Sequence, residues 1–220
     1  MLYDRAMCDV HHHGNDFGFI VDAPEIRALI AETERLTHEI SDAATRVEAL
    51  RPSFSRLLAA GGWLPEEYAQ PDTRSGMGGG IGQYALYRAE NGSLCLFSLV
   101  IPVGAETPVH DHLAWGLVGV YRGGQSETIY RRMDDGRDES HATLEVARRQ
   151  TIAQGEFYAL LPPLDDIHMV KTVSAEPSVS IHLLANDTAC VTRHRFDPVS
   201  GVVTPFRSGY SNARCAGAGS

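Results

Sequence analysis

Two histidines, His110 and His112, stand one residue apart in the stretch Gly104-Ala105-Glu106-Thr107-Pro108-Val109-His110-Asp111-His112-Leu113-Ala114-Trp115-Gly116. In an extended strand, residues two apart point to the same face, so both imidazoles can enter one interior. Neutral imidazoles are common ligands for divalent transition metals, and two side by side make half of a site. The other histidines carry weaker signals. His38, His141 and His194 have no partner legible in the sequence. The triplet His11-His12-His13 falls in a terminal segment that reads as solvated.

Such a pair needs a frame, and the chain divides into two kinds of pattern. Ile26, Leu29, Ile30, Thr33, Leu36, Ile40, Ala43, Ala44, Val47 and Leu50 recur at helical spacing and read as a packing face. Asp22, with Pro24 and Glu25 in the first turn, is the expected helix start; Pro52 is the expected break, followed by a second segment from Phe54 to Ala60. After the glycines 76, 78, 79, 80 and 82 the pattern becomes β-rich. Strands are expected over Gln83–Arg88, Leu94–Ile101, Thr107–Leu113, Gly116–Tyr121, Glu127–Arg132, Ala142–Ala147, Phe157–Leu161, His168–Val173, Val179–Leu184 and Val191–Phe196. Turns fall at Asn91-Gly92, Asp134-Asp135-Gly136 and Asp197 to Gly201. The glycine-rich segment lacks the Lys-Ser/Thr ending of a phosphate loop and precedes a strand. The expected organisation is a helical segment over 1–75 packed on a barrel over 76–212, with a disordered tail over 213–220.

Bulk composition narrows the function. At 220 residues the chain can bury a full core. With 28 acidic against 19 Lys and Arg residues, its formal net charge of -9 leaves no basic stripe for nucleic acid. No apolar run reaches membrane-spanning length. Met1 to Gly14 lacks the apolar core of a signal peptide, so a cytoplasmic home is expected. Cys8, Cys95, Cys190 and Cys215 show no CxxC spacing, and reduced thiols are the expectation. The sequence carries no clear signal for an oligomeric state.

The interval from Gly104 through His110 and His112 to Gly123 resembles the first cupin motif, G-x5-H-x-H-x3-E-x6-G, with Gly116 where that motif has its glutamate. Gly155 to Pro163 followed by Ile167-His168 resembles the second, in which a glycine turn and a proline precede a histidine. The resemblance implies a mainly β cupin double-stranded β-helix (jelly-roll) barrel behind an N-terminal helical layer. It also implies His168 as the third ligand beside His110 and His112. Such a facial set leaves up to three positions free on an octahedral metal, whereas a structural zinc site is closed by four ligands.

Beyond those motifs, Thr107-Pro108-Val109-His110-Asp111-His112, Trp115-Gly116-Leu117, Tyr121-Arg122-Gly123, the turn Asp197-Pro198 and Ser208-Gly209-Tyr210-Ser211-Asn212 resemble bacterial thiol dioxygenases of the cysteine dioxygenase superfamily. The similarity runs roughly from Trp63 to Asn212. It implies an Fe(II) enzyme that converts a small thiol and O2 into a sulfinic acid. The cysteine branch has an arginine near Gln83-Tyr84-Ala85-Leu86, and none stands there. Arg193 instead matches the arginine with which the 3-mercaptopropionate branch holds its substrate carboxylate, and Gly116 matches that branch as well. Ser180 and His182 match the family's Ser-x-His, which would place them with Arg193 among the catalytic residues. Gln83, Tyr84 and Trp115 are the expected pocket walls. The family's relay tyrosine is Leu184 here, which leaves Tyr84, Tyr158 or Tyr210 to replace it.

Two other functions compete. A three-histidine cupin can act on a different sulfur-containing or diketone acid, as a desulfhydrase, a hydrolase or a carbon–carbon-cleaving dioxygenase. A cupin can also serve as a binding or sensor module, which has no need of open metal positions.

Overall fold

The computed structural model describes residues 16–215, so Cys8 and the His11-His12-His13 triplet lie outside the described residues. Twelve strands build two six-stranded antiparallel sheets. The first contains β1 (Gly18–Phe19), β2 (Gly82–Arg88), β3 (Cys95–Ile101), β10 (Ser178–Leu184), β5 (Gly116–Arg122) and β8 (Phe157–Leu160), in that spatial order. The second runs β12 (Val203–Phe206), β11 (Arg193–Phe196), β4 (Val109–His110), β9 (Ile167–Thr172), β6 (Gly124–Arg132) and β7 (Leu144–Ala153). From β3 to β11 the chain passes back and forth between the sheets, staying in one sheet only for the β6–β7 hairpin, as in a double-stranded β-helix closed over one core.

Strand alternation fixes what that core contains. From the first sheet, Phe97, Leu99 and Ile101 of β3, Val118 and Val120 of β5, and Leu184 of β10 turn inward. They meet Val170, Ile152 and Phe206 from the second sheet. The opposite face of the first sheet, with Leu86, Leu96, Leu117, Ile181 and Leu183, is covered by the helices α1 (Pro24–Glu39) and α2 (Ala43–Ala59). Helix α2 approaches β5 so closely that a Cβ on Gly119 would collide with Phe54, Leu58 and Phe157.

The helical break differs from the sequence expectation. It falls at Ile40–Asp42, where Ile40 is extended and the Asp42 carboxylate accepts from the Thr45 backbone N–H at 2.8 Å. That cap starts α2 afresh, and Pro52 sits inside the helix rather than ending it. Asp22 does not cap α1; it pairs with Arg27.

The cysteine expectation is also corrected. Cys190 and Cys215 form a disulfide with Cα atoms 5.1 Å apart, a separation within the usual range. The C-terminal segment returns to the barrel, which brings together two cysteines that sequence spacing left unrelated. There Ser211 and Asn212 hydrogen-bond the β2 backbone, and the Arg214 N–H donates to Asp16. Residues 213–215, expected in a disordered tail, are therefore tied to the barrel, while 216–220 lie outside the described residues. Among the described residues no helix is long and apolar enough to cross a membrane.

Candidate metal centre

His110 lies on β4 directly opposite His168 of β9, and His112 follows just beyond the end of β4. The three rings are buried, with centroids 4.8–4.9 Å apart. One ring nitrogen from each can be chosen so that all three lie within 4.8 Å of one another. Each Nδ1 has an oxygen beside it: Pro108 O at 2.8 Å for His110, Asp166 O at 3.4 Å for His112, and Glu127 Oε1 at 2.6 Å for His168. An Nδ1–H spent on such an acceptor leaves the Nε2 lone pair for a metal. His168 Nε2 is buried with no protein partner, as a ligand atom should be. The residues fit a divalent cation.

His112 is not placed by strand alternation. The expected strand over Thr107–Leu113 is paired only at Val109–His110, and the chain then bends. Leu113 adopts φ 55°, a left-handed conformation unusual for leucine. The Asp166 carboxylate holds that bend by accepting from the His112 N–H at 2.9 Å and the Leu113 N–H at 3.1 Å. Burial raises the Asp166 pKa, and those two N–H groups oppose the rise.

Glu127 was invisible to sequence reasoning. It lies 41 positions before His168 in a strand of mixed polarity, and only the β6–β9 register brings it inward. Its other oxygen accepts from Gln150 Nε2 at 2.5 Å, so this fully buried carboxylate is bonded on both sides. Glu127→Gln keeps an acceptor for His168 but removes the charge. Metal affinity should fall about 10–100-fold, read by competition against a chromophoric Fe(II) chelator; an unchanged Kd would reduce Glu127 to a spacer.

Gly116 explains the missing acidic ligand. It pairs with Leu184 across β5 and β10, and a Cβ at this position would overlap the Leu183 carbonyl oxygen and the Leu184 side chain. Leu184 fills that volume and is fully buried. Gly116→Ala should cost roughly 1–3 kcal/mol in urea unfolding, and an unshifted midpoint would mean that β10 yields freely.

The remaining predicted residues separate by strand parity. Ser180 and His182 are interior, with Ser180 Oγ 3.0 Å from His182 Nε2 and the His182 ring stacked on Phe97 at 4.5 Å. Burial first, then the charges of His112, His168 and Arg193, holds His182 well below the usual histidine range. Arg193 is buried and donates to Thr188 O at 2.7 Å, to Asp111 O, and to Ser208 Oγ at 3.1 Å. Burial brings its pKa down to about 10, against the attraction of Asp111 and Asp166. Gln83 is buried with its amide nitrogen unpartnered.

Tyr84 and Trp115 are not interior walls. Tyr84 belongs to the helix-facing cluster and donates its hydroxyl to Gln70 O at 2.8 Å. Trp115 packs on that same side beneath the Arg46 guanidinium, 4.8 Å from its ring. Of the other tyrosines, Tyr210 donates to Asp187 at 2.7 Å. Tyr158 is the one beside the triad, its ring 6.2 Å from that of His168 and its buried hydroxyl unpartnered. His194, which had no legible partner, bonds Asp111 at 2.6 Å.

No protein-family model matches the chain. Solved structures overlap with it at low identity. A Schizosaccharomyces pombe Cnp3 cupin domain is 17% identical over 49% of this chain and 66% of that one, with a TM-score of 0.36. An oxalate oxidase is 15% identical over 54% and 56%, with a TM-score of 0.40. An RmlC-like cupin family protein with a double-stranded β-helix fold, from Methanocaldococcus jannaschii, is 11% identical over 49% and 82%, with a TM-score of 0.36. The chain thus spans less than two thirds of the length of the first two. Its fold, a cupin double-stranded β-helix with an N-terminal helical layer, stands on its own strand order.

Proposed function

We propose that this chain is an Fe(II)-dependent thiol dioxygenase that takes a small carboxylated thiol of the 3-mercaptopropionate type and O2 to a sulfinic acid. One observation carries the proposal: a buried, all-histidine triad of His110, His112 and His168, without an acidic fourth ligand, shares its interior with the buried cation Arg193. A neutral ligand set leaves the charge of a divalent metal to be matched by an anionic substrate. Iron held by His110, His112 and His168 would supply the Lewis-acid and redox chemistry for a thiolate and O2. The net change, RSH + O2 to RSO2H, balances without an external reductant.

The chain's own residues bind and orient. A guanidinium has five N–H groups, and Arg193 commits three to Thr188, Asp111 and Ser208. The remaining two suit a carboxylate arm. Gln83 Nε2 and His182 Nδ1, both buried and unpartnered, add neutral polar contacts. Leu184, Phe97 and Val118 make the rest of the interior apolar and exclude water. Tyr158 is our choice for the role of the missing relay tyrosine, because its hydroxyl is buried near the triad.

Leucine at 184 also favours a second function, oxygen-independent or diketone-directed chemistry at the same metal. Oxygen uptake by anaerobically Fe(II)-loaded protein distinguishes the two, across 3-mercaptopropionate, cysteine, cysteamine and mercaptosuccinate. Uptake with sulfinate formation from 3-mercaptopropionate is the expected result. No uptake with any thiol, in protein holding one iron per chain, would overturn it.

A further inference from the structure

Behind His182 runs a chain of five short polar contacts sealed inside the barrel. Thr172 Oγ1 donates to Ile101 O at 2.7 Å and lies 2.6 Å from Ser178 Oγ. Gln125 Nε2 bridges Ser178 Oγ at 3.0 Å and Ser180 Oγ at 3.2 Å, and Ser180 Oγ meets His182 Nε2 at 3.0 Å. Thr172, Gln125, Ser178, Ser180 and His182 are all buried, so each contact must find its hydrogen within the chain.

Counting hydrogens fixes the direction. With the Gln125 amide nitrogen toward the serines, the Thr172 hydroxyl, the Ser178 hydroxyl, two amide hydrogens and the Ser180 hydroxyl serve the five contacts one each. With the amide turned over, its oxygen can only accept. The three hydroxyls and a His182 Nε2–H are then four hydrogens for five contacts, and one buried contact fails. With the amide nitrogen donating to Ser180 Oγ, the Ser180 hydroxyl hydrogen has His182 Nε2 as its one acceptor, so Ser180 donates there and the imidazole proton sits on Nδ1. That nitrogen is buried and has no partner.

We infer that Gln125 is a positioning residue that locks His182 in its Nδ1–H form, so that His182 offers one N–H donor to an acceptor atom held in the barrel interior. The inference deepens the proposed function, resting on it for the identity of that acceptor: a sulfur or oxygen of the thiol substrate or of its oxygenated product. It assigns Gln125 a part that a space-filling residue would lack, because the amide sets which nitrogen of a neighbouring ring carries the proton.

The test is nitrogen-15 NMR of histidine-labelled, Zn(II)-loaded full-length protein, which reports the tautomer without turnover. The His182 signals should show a protonated Nδ1 and an unprotonated Nε2. Gln125→Glu, an acceptor in place of the donor, should draw the Ser180 hydroxyl to itself and move the His182 proton to Nε2. Ser180→Ala, which adds no charge, should release the lock and populate both forms, and it serves if Gln125→Glu does not fold. A wild-type His182 protonated on Nε2, or an Nδ1–H form unchanged in the variants, would overturn the assignment. Adding 3-mercaptopropionate should then shift His182 Nδ1. A switched tautomer with no such shift would leave the lock standing and remove the acceptor proposed for it.

Discussion

The metal-free protein should lose stability steeply as the pH falls below about 6.5, and a bound divalent metal should raise stability at each pH without removing that slope. Burial first, then the charges of neighbouring histidines and of Arg193, holds His110, His112 and His182 well below the usual histidine value of 6.5 in the fold. In the unfolded chain all three return to that value. Below it the unfolded state binds three protons that the folded state refuses, so acidification favours unfolding, and stability recovers as the pH rises through 6.5. Three such groups give a limiting slope of about 4 kcal/mol per pH unit. Asp111 and Asp166, raised by burial, work in the opposite sense and offset part of the loss once the pH enters the carboxylate range. Urea midpoints at pH 7.5, 6.5 and 5.5, with chelator and with saturating metal, measure the effect. Metal binds only the fold, where His110 and His112 already refuse protons, so the metal series should run above the chelator series by the metal's binding free energy with a similar slope. A flat chelator series would mean that His110, His112 and His182 are hydrated and titrate normally.

The same histidines show how far a sequence carries a site. The pair His110–His112 was legible because ligands close in sequence leave a spacing signature, although a bend and Asp166, rather than simple alternation, deliver His112. Glu127 left no signature, because its tie to His168 depends on the register between β6 and β9. Parity could have rejected two of the expected pocket walls. Gln83 faces the interior, so its neighbour Tyr84 faces the helices, and Trp115 is one step out of phase with Gly116, Val118 and Val120. β12 was missed because Pro205 interrupts its pattern, which is tolerable on a strand at the edge of its sheet. β7, expected only as far as Ala147, continues to Ala153 with mostly exposed residues that give no alternation. The helix break was misplaced because proline weighed more than the Asp42 cap. Burial explains the first-sheet core being easy to recognise: β2, β3 and β10 are buried on both faces, so they read as strongly apolar runs.

Arg193→Met should separate thiols by whether they carry a carboxylate. Arg193 is 2% exposed, and its charge is felt at His110, His112 and His182, which places it within electrostatic reach of the triad. Losing one partner of a buried, hydrogen-bonded charge pair costs about 2–5 kcal/mol, or roughly thirty- to several-thousand-fold in kcat/KM. A loss in that range is expected for 3-mercaptopropionate. For cysteamine, which has no carboxylate to dock, the change should stay within a few-fold. Methionine also strands the carbonyls of Thr188 and Asp111 and frees Ser208, so the variant will be less stable. That loss falls on both substrates alike, which is why the ratio between them is the informative quantity. Arg193→Lys retains the charge but not the planar fork, and should recover part of the carboxylate preference without its full strength. Equal losses for the two thiols would make Arg193 a structural strut of the barrel and would require another group to receive the carboxylate, with Gln83 the first to examine because its amide nitrogen is buried and unpartnered.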